Sequence, residues 1–152
     1  MAFVNPTVPN LADFTTYCQD QGVTTAALPA NSPYFQYAFN SAMDKVLIPP
    51  DDMPAIEYVL AVYNWGLHWL LKIAPDQTGS TYFATIRKAY KLMSFTGGVV
   101  VNAGDQGTNA SLAEPEFLKG LTISALDLLK TPWGQMALDY QQQYGPNIVG
   151  MS

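Results

Sequence analysis

His68 is the chain's only histidine. Imidazole is the side chain best suited to proton transfer near neutral pH, so His68 could act as a base toward Cys18 or an aspartate. It stands between Trp65, Trp69 and Leu71, though, and reads as a packed or interface histidine. Cys18, the lone cysteine, falls on an apolar helix face and reads as a buried, unreactive thiol. One cysteine also leaves no intrachain disulfide and no cysteine-based zinc site. Asp51-Asp52 could pair on a metal, but capping of a following helix explains them without one. Gly97, Gly98, Gly104 and Gly107 match neither phosphate-binding glycine pattern, since the lysine and the following helix start are missing. Asp105-Gln-Gly107-Thr-Asn109 lacks the acidic spacing and closing glutamate of a calcium loop and reads as a turn. Glu114 and Glu116 flank Pro115 as in a solvated linker. An enzyme would need Asp51, His68 and Glu114 to converge, and no pattern supports that. We expect no catalytic constellation, no metal and no cofactor.

The elements that hold these residues are mainly helical. Asn10 as N-cap and Gly22 just past the end bracket a first helix, with Leu11, Phe14 and Cys18 at i, i+3 and i+7. Ser32-Pro33 starts a second, running to about Val46, with Phe35, Phe39 and Ala42 on one face. Asp51-Asp52 suit the positive end of a third helix, about Pro54 to Ile73 and about 30 Å long. Ile56, Val59, Leu60, Tyr63, Leu67, Leu70 and Leu71 mark its buried stripe. It is apolar almost all round and should be central. A fourth helix, about Thr81 to Ser94, buries Phe83, Ile86, Tyr90 and Met93 and turns Arg87, Lys88 and Lys91 outward. Residues 95–113 then change character, and Val99-Val100-Val101 is their only β-branched run. They form either a β-hairpin or a long loop projecting from the body. Two helical pieces follow within 122–145, the second opening on Thr131 as N-cap and Pro132 at N1. Residues 146–152 form an extended, uncharged tail. The expected architecture is a single domain over 1–152: an antiparallel helical bundle (body 11–94) with a glycine-rich loop or hairpin and an extended tail.

The chain has 152 residues, 49% apolar and only 12% charged, with a net charge of −5. Soluble domains average about 25% charged residues, so either much of the surface is neutral or other chains cover it. Disorder is excluded, because it needs low hydrophobicity and high charge. An acidic chain gains no counterion release from a phosphate backbone, and Arg87, Lys88 and Lys91 are too few for a nucleic-acid footprint. Passive lining of a DNA channel remains open, since acidic walls repel phosphates. The apolar run from Tyr58 to Leu71 is shorter than the about 20 residues a spanning helix needs, so no membrane contact is expected. The first residues show no signal-peptide pattern, and the single cysteine fits a reduced, cytosolic compartment. Aromatics fall on more than one helix face. Those on second faces, Trp65 and Trp69 above all, are of the type enriched where protein meets protein.

Leu128-Leu-Lys-Thr-Pro-Trp-Gly134, followed by Gln141-Gln-Gln-Tyr-Gly145, resembles tailed-phage head-to-tail connector (adaptor or neck) proteins. The shared pattern, over roughly residues 55–152, is a compact helical body and a glycine-rich polar insertion before the last third. A T-P-[aromatic]-G segment and a glycine-bounded tail complete it. The resemblance implies a structural virion protein, not an enzyme, assembled in the host cytoplasm and stacked on the portal as a homo-oligomeric ring of about twelve copies. Its partners would be the portal protein, a tail or nozzle component, and DNA passing through the channel. The interface residues so implied are Trp65, Trp69, Val99, Val100, Asp105, Trp133, Tyr144, Asn147, Ile148, Val149 and Met151. A small helical binding module, with a pocket lined by Trp65, His68 and Trp69, is the competing expectation.

Overall fold

A computed structural model describes residues 3–46, 53–93 and 123–144. The described residues form helices and connecting turns, with no strand among them. The helices are α1 (Leu11–Asp20), α2 (Pro33–Lys45), α3 (Ala55–Ile73), α4 (Tyr82–Tyr90), α5 (Ile123–Leu128) and α6 (Pro132–Tyr144). The expected loop or hairpin at 95–113, the Asp51-Asp52 cap, the Glu114–Glu116 linker and the tail at 146–152 lie outside the described residues.

Three helix starts follow their local signals. The Asn10 side chain accepts from the Asp13 amide, and the Ser32 hydroxyl accepts from the Tyr34 amide ahead of Pro33. The Thr131 hydroxyl accepts from the Gly134 amide at 2.9 Å. Each of these contacts satisfies an amide that the first helical turn leaves without a partner. The start of α4 is capped from a distance instead. The Asp76 carboxylate accepts from the Phe83 amide at 2.6 Å and the Ala84 amide at 3.1 Å.

Helix α3 packs against α1, α2, α4 and α6, and every residue from Ala61 to His68 is buried. A helix without a polar face must be covered on all sides, and these four neighbours cover it. Gly66 sets the distance to α1: a Cβ there would stand 2.7 Å from the Phe14 ring. Phe14 in turn packs with Phe35, Phe39 and Tyr63. Polar groups inside α3 are matched rather than excluded. Asn64 donates to the Leu60 carbonyl and accepts from the Tyr17 hydroxyl at 2.8 Å.

The ends of the helices depart from the expected stripes. Ile56 is exposed and Leu60 half-buried. Helix α4 stops at Tyr90, where Lys91 takes a left-handed conformation (φ 56°) and the Leu92 amide donates to the Arg87 carbonyl. The chain therefore turns before Met93, which is 72% exposed instead of buried. Arg87 does not join Lys88 and Lys91 on the outer face. Its guanidinium donates to the Leu71 and Ala74 carbonyls at the C-terminal end of α3. Among the described residues, no helix is long and apolar enough to cross a membrane.

Candidate functional site

Among the described residues, a cluster of polar side chains lies where α3 meets the α5–α6 turn. His68 and Lys72 are one helical turn apart on α3, so their side chains project on the same face. Asp127 comes from α5 and Thr131 opens α6. His68 Nδ1 lies 2.7 Å from Thr131 Oγ1, and His68 Nε2 lies 3.1 Å from Asp127 Oδ2. Lys72 Nζ approaches the same Asp127 oxygen at 2.7 Å, and Lys130 Nζ lies 3.4 Å from the other.

Hydrogen-bond capacity assigns the protons for a neutral ring. A carboxylate can only accept, so Nε2 carries the hydrogen and donates to Asp127. Nδ1 then accepts from the Thr131 hydroxyl, whose oxygen accepts from the Gly134 amide. One chain of bonds links the start of α6 to α3 and α5. Burial alone would raise the Asp127 carboxyl, but hydrogen bonds from His68 and Lys72 and the Lys72 charge hold it well below the ordinary carboxylate range.

Gly134 allows this closeness. A Cβ at that position would stand 2.2 Å from the Leu128 carbonyl oxygen and 2.9 Å from His68 Nδ1. No side chain fits between backbone and imidazole there.

Threonine, histidine and aspartate in a line are the residue types of a nucleophilic relay. Here Thr131 is 0% and His68 1% exposed, and the hydroxyl already caps α6. A substrate atom has no approach to Oγ1. The cluster acts as a joint: charge-assisted bonds from His68 and Lys72 to Asp127 tie α3 to α5, and the Thr131–His68 bond ties the start of α6 to α3.

The residues singled out from sequence separate into groups. Trp65 is buried and stacks on the half-buried Trp69, with ring centroids 5.6 Å apart; Lys72 Nζ lies 5.1 Å from the Trp69 ring. These tryptophans therefore adjoin the joint through Lys72. Trp133 is half-buried, donates to Gln21 at 3.0 Å and meets the edge of Tyr90. Tyr144 is half-buried near the start of α3; its hydrogen bond to Glu57 raises its pKa. Val99, Val100, Asp105, Asn147, Ile148, Val149 and Met151 lie outside the described residues. Cys18 is fully buried, and burial pushes its thiol well up. His68 is paired with Asp127, not with Cys18. Among the described residues no three His, Cys, Asp or Glu side chains gather as metal ligands.

Sequence reasoning missed Asp127 and the second role of Thr131. The signal for the first was the His68/Lys72 pair, two nitrogen-bearing side chains on one face of an apolar helix. Such a pair, once buried, needs an acid. No protein-family model, curated protein or solved structure matches the chain.

Proposed function

We propose that this chain is a head-to-tail connector of a tailed bacteriophage, a structural virion protein that forms a ring between portal and tail. The observation that carries the reading is the Thr131-Pro132-Trp133-Gly134 segment followed by Gln141–Gly145, the pattern shared with connector proteins. Its position at the α3–α6 joint gives each residue of the segment a defined task. Thr131 caps, Pro132 opens the helix, Trp133 bridges toward α1 and α4, and Gly134 admits close packing.

In this reading the helices make an antiparallel bundle, residues 95–113 project as a loop or hairpin, and 146–152 extend as a tail. A ring subunit uses different patches on its two sides. Exposed apolar side chains on several elements suit that need: Val4 and Val8 before α1, Tyr37 and Met43 on α2, and Met136 on α6. Of the interface residues expected from sequence, Trp69, Trp133 and Tyr144, each half-buried, would join them in contacting neighbours. The net charge of −5 would let DNA pass a channel wall without adhering.

Residues 145–152 would dock on the portal or an adjacent subunit by adding backbone hydrogen bonds to a sheet edge. Their deletion is expected to leave helical content and melting unchanged and to abolish binding to the portal ring encoded in the same genome. Undiminished binding would overturn the role of the tail. A monomer whose tryptophan fluorescence responds to a small ligand would support the binding-module reading instead.

A further inference from the structure

We draw no further inference here: the strongest candidate, the outward side of the arm before α1, which the Asp13 carboxylate holds by the Val4 and Asn5 amides and which leaves Val4 and Val8 exposed, is an apolar patch with nothing in the structure to show what covers it.

Discussion

Replacing Thr131 by valine keeps the β-branched shape of the side chain and removes its hydroxyl. Two groups lose their partner at once: the Gly134 amide at the start of α6 and Nδ1 of the buried His68. Loss of an N-cap costs about 1 kcal/mol. A buried polar atom left without a hydrogen bond costs about 1–3 kcal/mol. The expected destabilisation is therefore about 2–4 kcal/mol. For a chain of this length each kcal/mol moves the melting temperature by about 2–4 °C, so Thr131→Val should melt roughly 5–15 °C below wild type. Thr131→Ser retains the oxygen and loses a buried methyl, worth about 1 kcal/mol. Thermal unfolding followed by circular dichroism, with both variants side by side, separates the hydroxyl from the methyl. If the valine variant melts at or above the serine variant, the hydroxyl does not join α6 to α3 and the reasoning fails.

Gly134→Ala should destabilise by about 1–3 kcal/mol through overpacking, because its Cβ would meet the Leu128 carbonyl at 2.2 Å; urea denaturation reads the loss. The Asp127 carboxyl is held below its ordinary range, so its contribution is present above the unfolded value of about 3.9. That contribution disappears as pH falls through the lower folded value. Asp127→Asn should be less stable than wild type near pH 7, and the gap should narrow below about pH 4; a gap constant with pH contradicts the assignment. Arg87→Met leaves the Leu71 and Ala74 carbonyls without their donor and should lower stability by about 1–3 kcal/mol. Arg87→Lys should recover only part of it, since an ammonium lacks the planar fork.

Local chemistry explains which parts of the fold were legible. Asn10, Ser32 and Thr131 announced helix starts because capping involves only the next three residues. The centrality of α3 was legible because a helix lacking a polar face has nowhere to lie but inside. The stripe broke down at Ile56, in the first turn of α3, and at Met93, beyond the left-handed turn that ends α4. Arg87 was expected among surface lysines, yet it caps α3 from 16 residues away. Spacing within one helix does not show which other helix end lies against it.

The joint was legible only in pieces. His68 was read as a packed or interface histidine, and it is buried; Thr131 was read as a cap, and it caps α6. Their meeting, at a sequence separation of 63, and that of His68 with Asp127 at 59 depend on how α5 and α6 dock, which no local pattern encodes. Seven of the expected interface residues fall outside the described residues, and Trp65 is largely covered within the chain. The arm before α1 gave no periodic signal, because a carboxylate ten residues from Phe3 organises it.

The low charge raises the question of what covers this chain, and the connector reading answers that other copies and the portal do. Co-sedimentation of the purified chain with the portal ring of its own genome tests that most directly. The account predicts a complex holding about as many copies of this chain as of the portal, lost when residues 145–152 are removed. A chain that stays free of the ring, or a genome carrying this sequence without a portal gene, would contradict it.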